Sequence, residues 1–335
     1  MKSTFEPLSI VLWVPVRRRQ NKLAPPGGTG LRDQLKQAIR IASKAPEVMV
    51  RISGKARGAR HVQCHLQYIT REGALVAEDE CGQLVVGRQM VGDVADLWMG
   101  GAEHRRRSNS RDTVNVVLSM PHGTDREKLL KAARRFAYAT FATEHAYLLV
   151  QHNDTDHPHC HLTVRSLSFN GQRLDPRKRD LQAWREDFAQ ACRDVGLAAE
   201  ASPRRTRGVV RKAKSPAVWH ADKARRSRVQ KAKVAEAIRT IHSPDTEAPW
   251  THAIATRQRQ IRAGWEATAR EIERSGLAET IALANRVRAF VQQMPPMETE
   301  RQQLKRKVLD HLKQQRLEND GPTTNPDRST ETPER

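Results

Sequence analysis

The chain is predicted to fold as an α+β domain followed by a basic helical region. Three observations carry that prediction. Short segments between residues 48 and 167 alternate apolar and other residues at the two-residue period of a strand. Amphipathic segments with a helical period stand between them. Beyond residue 200 the strand pattern stops and Lys and Arg dominate. Strands interleaved with amphipathic helices indicate one mixed domain, placed at 47–200.

The elements follow in order. Residues 17–30, which include the Pro/Gly-rich stretch Pro25–Gly30, read as a linker within an N-terminal extension over 1–46. A short helix is expected at 31–43, and Val48, Val50 and Ile52 mark a strand. In the helix expected at 59–72, Val62, Leu66 and Ile69 form one apolar stripe. At 100° per residue, Tyr68 lies roughly 120° from the centre of that stripe, outside the core and near Cys64, His65 and Arg71. Gly73 is expected to end this helix. Ala74–Ala77 and Gln83–Val86 read as a hairpin around Glu80-Cys81-Gly82. Thr113–Met120 is a β-branched strand closed by Pro121. Thr124 and Glu127 have the spacing of a capping box, and the helix after them turns Leu129, Leu130, Ala133, Phe136, Ala137 and Phe141 to one side. Strands are expected at 146–152 and 159–167, joined by Asn153–Pro158. A final helix of the domain stacks Leu181, Trp184, Phe188, Cys192 and Val195 on one face, with Gly196 closing it.

Residues 203–233 hold twelve Lys/Arg against Asp222 alone, a local balance of +11. Helical patterns resume around 254–291 and 298–316, within a basic helical region over 201–317. Residues 318–335 are polar and expected to be disordered.

Composition excludes several functions. Mean hydropathy is −0.71, and no apolar run approaches the ~20 residues of a spanning helix, so membrane insertion is not expected. A net charge of +21 and a pI near 10.5 point to a polyanionic partner, most simply nucleic acid. Cys64, Cys81, Cys160 and Cys192 are widely separated and form no C-x-x-C pair, which excludes a zinc ribbon or disulfide framework and favours reduced cytoplasmic thiols. The apolar run Leu8–Val16 carries its charge after it, at Arg17–Arg19, the reverse of a secretory signal. Gly27–Gly30 lacks the Gly-Lys-Ser/Thr of a phosphate-binding loop.

The sharpest signal is His152-Asn153-Asp154-Thr155-Asp156-His157-Pro158-His159-Cys160-His161, which holds four of the thirteen histidines. Side chains two apart on a strand share a face, so His159 and His161 project together and Cys160 points the other way. If the two strands pair across the turn, His152 lies opposite His159. Three imidazoles then converge as a divalent cation with open coordination positions requires, an arrangement suited to chemistry rather than structure. A solvated polar turn accounts for Asn153–Pro158, but not for histidines alternating into the apolar strand of Leu162, Val164 and Leu167. Asp154 and Asp156 are candidates to orient the imidazole N–H groups. Asp156 is alternatively a group acting on substrate, and either fits an Asx-type turn. His157 is a catalytic candidate or a turn residue.

The pattern His-x-Asp-x-x-His-Pro-His-x-His-Leu resembles motif III of the conjugative relaxases, the single-tyrosine mobilization nucleases, in the branch that includes the T-DNA border endonuclease. His65-Leu66-Gln67-Tyr68-Ile69-Thr70-Arg71-Glu72-Gly73 is similar to motif I, and Leu118–Asp125 is similar to the Ser/Pro/Gly segment between them. The resemblance covers about 47–200 and leaves 1–45 and 201–335 unaddressed.

It implies a largely antiparallel five-stranded sheet with flanking helices. It implies that Tyr68 attacks a phosphodiester at an origin of transfer, leaving a 5′-phosphate on Tyr68 and a free 3′-OH. His152, His159 and His161 would hold Mg²⁺ or Mn²⁺; Zn²⁺ stays in play because imidazole suits it. A tyrosine of pKa ~10 is a poor nucleophile unaided, which fits a cation beside it. Lys55, Arg57, Arg60 and Arg71 are candidates to hold backbone phosphates, or are solvated surface charges. The implied partners are DNA, accessory relaxosome proteins and the coupling protein of a type IV secretion channel. The implied setting is the bacterial cytoplasm, with translocation alongside the plasmid strand. Three other readings stand beside it: a rolling-circle replication initiator, a metal-dependent phosphodiesterase in which water attacks, and a non-catalytic basic DNA-binding protein.

Overall fold

The computed structural model describes residues 31–100, 110–210, 214–241, 249–274 and 277–319. The apolar run 8–16, the arginines after it, the Pro/Gly linker and the tail from 320 lie outside the described residues. Among the described residues no helix is long and apolar enough to cross a membrane.

The elements run α1 (Leu31–Ala42), β1 (Met49–Gly54), α2 (Ala59–Ile69), β2 (Ala77–Asp79), β3 (Leu84–Val85) and α3 (Gly87–Met99). Then come β4 (Thr113–Ser119), α4 (Arg126–Phe141), β5 (Tyr147–His152), β6 (His159–Arg165) and α5 (Lys178–Asp194). The basic region supplies a 3₁₀ turn (Arg204–Arg207), α6 (Pro216–Lys223), α7 (Arg228–Arg239), α8 (Pro249–Glu273), α9 (Ala278–Gln292) and α10 (Glu300–Asn319).

One sheet organises the fold, in the order β1-β4-β6-β5-β2-β3, with every ladder antiparallel. The α+β class is as expected, but the sheet has six strands rather than five. The 77–85 hairpin does not stand apart from it. Ala77, Glu78 and Asp79 pair with Val150, Leu149 and Leu148, which joins β2 to the sheet and leaves two-residue β3 at its edge.

Strand alternation splits the core in two. On one face Val114, Val116, Leu118, Cys160, Leu162, Val164, Tyr147 and Leu149 pack against α4 and α5. Phe136 meets Phe188 edge-on at 5.7 Å, and Phe141 meets Trp184 at 5.2 Å. On the other face Leu148 and Val150 pack against Val62, Leu66 and Ile69 of α2 and Val91, Ala95 and Trp98 of α3. Helix α3 has no counterpart in the reading of the sequence. Its apolar residues recur at i, i+4 and i+7, yet Val86 caps it without a side-chain hydrogen bond, so the usual start signal is missing.

Two local expectations are corrected. Asp125, not Thr124, caps α4: its side chain accepts from the Lys128 N–H, while the Thr124 hydroxyl donates to Pro121 O. Helix α2 ends at Ile69 rather than near 72, because Arg71 and Glu72 adopt positive φ of 52° and 57° ahead of Gly73 at 85°.

The chain forms two compact units, one comprising the residues up to Pro203 with Trp265–Gln292, the other Arg204–Gly264 with the residues from Gln293. In the first, α9 packs on α1, Trp265 meets Phe290 at 5.2 Å, and Arg40 pairs at 2.8 Å with buried Glu200. In the second, α7 packs on α10, with Lys233 paired to Glu300 at 2.8 Å.

Candidate active site

β5 and β6 pair in the register that sets His152 opposite His159. His159 and His161 share one face of β6, and Cys160 is buried on the other, where burial pushes its thiol up to about 12. Ring centroids lie 4.3 Å apart for His152 and His161, and 5.2 Å for each of the other two pairs. One ring nitrogen from each residue lies within 4.8 Å of the others.

Backbone carbonyls orient two of these rings. His152 Nε2 donates to Ile69 O at 2.6 Å, which leaves its Nδ1 lone pair for the cluster. His159 Nδ1 lies 3.1 Å from His157 O; donation there leaves Nε2 for the cluster. Burial drives the His161 imidazole down to about 3, aided by the neighbouring His152 and His159, so it stays neutral. Burial likewise lowers His152, against the raising effect of the Ile69 carbonyl. Three imidazoles with ring nitrogens this close together are a donor set that a divalent cation takes, so the residues fit a metal.

The acidic residues do something other than orient imidazoles. Asp154 forms an ion pair with Arg71, which holds its carboxyl below the usual range. Asp156 contributes its backbone carbonyl to His122 Nδ1 at 3.1 Å. His157 is exposed, and its carbonyl accepts the Thr155 hydroxyl at 2.9 Å, the bonding of a turn residue.

Tyr68 sits in the last turn of α2 and is 60% exposed, off the buried stripe of Val62, Leu66 and Ile69. The helix is tied down at its start and at its middle. The Gly58 N–H donates to Asp112 at 2.7 Å, and His65 contacts the Thr163 hydroxyl at 3.1 Å mid-helix. The next residue after Tyr68, Ile69, receives the His152 hydrogen bond. The candidate nucleophile and the histidine cluster therefore share one backbone anchor. The Arg71 guanidinium lies 5.5 Å from the centroid of the Tyr68 ring.

Of the four basic candidates, only Arg71 joins this group. Lys55, Arg57 and Arg60 flank the opposite end of α2, where Ala56 N–H bonds the Thr113 hydroxyl. Eight residues of helix separate Arg60 from Tyr68, a rise of about 12 Å. Lys55 lies beside Arg111 and is lowered by burial first and then by that charge.

Arg126 is a residue that sequence reasoning missed. It clamps the β5–β6 loop, donating to Asn153 O at 2.7 Å and Thr155 O at 3.0 Å. The signal was available: a cation in the first turn of a helix opposes the macrodipole and calls for another reason to be there.

Residues 68–197 match the relaxase family described as MobA/VirD2-like, nuclease domain. The T-DNA border endonuclease VirD2 of Rhizobium radiobacter is 26% identical over 208 residues, covering 56% of this chain and 48% of its own. That of Agrobacterium fabrum is 25% identical over 183 residues, covering 49% and 41%. The chain thus spans about half the length of these relatives or less. A solved structure described as "Molecular Basis of Vancomycin Resistance Transfer in Staphylococcus aureus" aligns with 48% of this chain and 99% of its own at 14% identity, with a TM-score of 0.33, too distant to bear on the chemistry. Over residues 68–197 this chain is thus similar to the nuclease domain of the relaxase and mobilization family.

Proposed function

We propose that this protein is a relaxase that nicks one DNA strand at an origin of transfer through a covalent tyrosyl intermediate. One observation carries the reading. Three imidazoles converge on a strand face, and His152 is hydrogen-bonded to the residue that follows exposed Tyr68. In this reading the Tyr68 oxygen attacks phosphorus and the 3′ oxygen departs. The phenol proton ends on that oxygen, leaving a free 3′-OH and a 5′-phosphotyrosyl ester. One phosphorus–oxygen ester bond replaces another, so the step runs backwards to rejoin the strand.

His152, His159 and His161 would hold a divalent cation, Mg²⁺ or Mn²⁺ by the resemblance and Zn²⁺ by ligand type. Such an ion, when bound, neutralises charge on the scissile phosphate. Arg71 supplies a guanidinium beside the tyrosine, whereas Lys55, Arg57 and Arg60 would hold backbone phosphates further along the strand. Asp154 acts through Arg71, and Asp156 and His157 shape the loop. The nuclease domain is assigned to 47–200. The +11 segment at 203–233 fits sequence-independent affinity for DNA. We assign to 201–317 the docking of accessory relaxosome proteins and a type IV coupling protein, with the chain acting in the cytoplasm and piloting the strand into a recipient.

The test is a nicking assay on single-stranded origin oligonucleotides with Mg²⁺ or Mn²⁺, resolved by denaturing electrophoresis. A protein–DNA adduct at Tyr68 is expected. Cleavage without an adduct means that water attacks. Binding without cleavage means that the histidines are structural.

A further inference from the structure

The turn after Tyr68 is held in an unfavourable shape. Arg71 and Glu72 are consecutive left-handed residues, a geometry that L side chains rarely adopt. The surroundings enforce it. Buried Thr70 donates its hydroxyl to Leu66 O at 2.8 Å and accepts the Gly73 N–H at 3.2 Å. Gly73 O accepts the Gly87 N–H at 2.9 Å, and a Cβ on Gly73 would stand 2.2 Å from the Gly87 carbonyl carbon. This lock presents the Arg71 guanidinium both to the Tyr68 ring and to Asp154, in the β5–β6 loop beside the histidines. Both partners of the Arg71–Asp154 pair are well exposed, and exposed pairs add little stability. Strain maintained for an exposed ion pair calls for a functional reason.

We propose that Asp154 is a positioning residue that parks Arg71 over Tyr68, and that Arg71 passes from the Asp154 carboxylate to the phosphate esterified on Tyr68. The inference rests on the proposed function and deepens it. A guanidinium pairs a carboxylate or a phosphate with the same planar donor fork. Before cleavage Asp154 satisfies it; after cleavage the phosphotyrosyl oxygens take over. The 5′ end is thereby retained near the cluster for rejoining, and Asp154 keeps the cation from straying between turnovers. Arg71 also adds positive charge at His152 and His161, so it stands within electrostatic reach of the cluster.

The experiment uses the full chain and a single-stranded oligonucleotide that the wild type cleaves, scoring adduct formation and transfer of the bound strand to a second oligonucleotide. Arg71→Ala is expected to lower transfer about a hundredfold, as loss of one preorganised donor does, with DNA affinity little changed. Arg71→Lys keeps the cation but not the fork and should fall between. Asp154→Asn should lower the rate less than Arg71→Ala and leave KM unchanged. The charge swap Arg71→Asp with Asp154→Arg decides the matter. If Arg71 seats the phosphate, the swapped pair stays as low as Arg71→Ala; if the pair is only a structural latch, the swap restores transfer and overturns the proposal. Normal transfer by Arg71→Ala overturns it too. A wild-type chain that cleaves without a Tyr68 adduct removes the parent reading instead, a result distinct from either. Melting transitions of the variants should match the wild type, since the pair is exposed.

Discussion

The two faces of β6 differ in kind although they share one backbone. Cys160, Leu162 and Val164 point into a core closed by Phe136, Phe188 and Trp184. His159, His161 and Thr163 point the other way, toward α2 and the histidine cluster. A period of two residues thus gives the even-numbered positions to the core and the odd-numbered ones to the histidine face within a seven-residue strand. Substitutions on the two faces should therefore fail in different assays.

The largest effect is expected from a change that touches neither core. Tyr68→Phe removes one exposed oxygen and keeps the ring, so the chain should fold and bind DNA as before while adduct formation is abolished. An adduct that persists in the Phe variant would move the nucleophile elsewhere, with Tyr138 (exposed) the next to test, since Tyr147 is buried with its phenol raised out of easy reach. Next come His159→Ala and His161→Ala. Each should lose metal-dependent cleavage, and a chelator should mimic both, with folding preserved. Metal stoichiometry that is unchanged in the double variant would remove the metal centre. His157→Ala should be much milder, because its carbonyl, not its ring, makes the contacts.

On the opposite face the failure should be in stability. Leu162 is fully buried one residue from His161. Leu162→Ala is expected to cost about 2–5 kcal/mol, from lost transfer energy plus the cavity left behind. Denaturant midpoints measure it. Retained stability in this variant, or a stability loss of that size in His161→Ala, would break the division between faces.

How much of this was legible in the sequence depended on the range of the interaction. The histidine register was readable because alternation and a short turn are local: His152 does face His159, and Cys160 does turn away. Tyr68 lay off its stripe for the same reason. What escaped was decided by contacts distant in sequence. Arg71 finds Asp154 across 83 positions, and His152 finds Ile69 O across the same span. Lys55 and Arg60 looked near the nucleophile on the chain, but a straight helix carries them to its far end. The left-handed turn was hidden because its cause is Gly73 against Gly87, not the identity of Arg71 or Glu72.

The smallest expected effect concerns protons, and it too should separate the faces. Glu186 lies on α5, which packs on the apolar face of the sheet. Burial pushes its carboxyl up to about 7, with the nearby charges of Asp187 and Glu200 adding to the rise and a hydrogen bond from Gln182 at 2.9 Å opposing it. An unfolded Glu titrates near 4.5. Between those values the folded chain binds more protons than the unfolded one, so stability falls as pH rises. The contribution is fully present below about 4.5 and lost as pH climbs through about 7. Glu186→Gln removes the charged form and should flatten that loss, leaving the variant about 1–2 kcal/mol more stable than wild type near pH 8, after discounting for partial solvent screening. The same substitution should not move the pH profile of DNA cleavage, which belongs to the histidine face. Denaturation curves at pH 5 and pH 8, set beside cleavage rates at the same values, test both halves. A shifted cleavage profile would mean that protonation on the apolar side reaches the active site through the sheet.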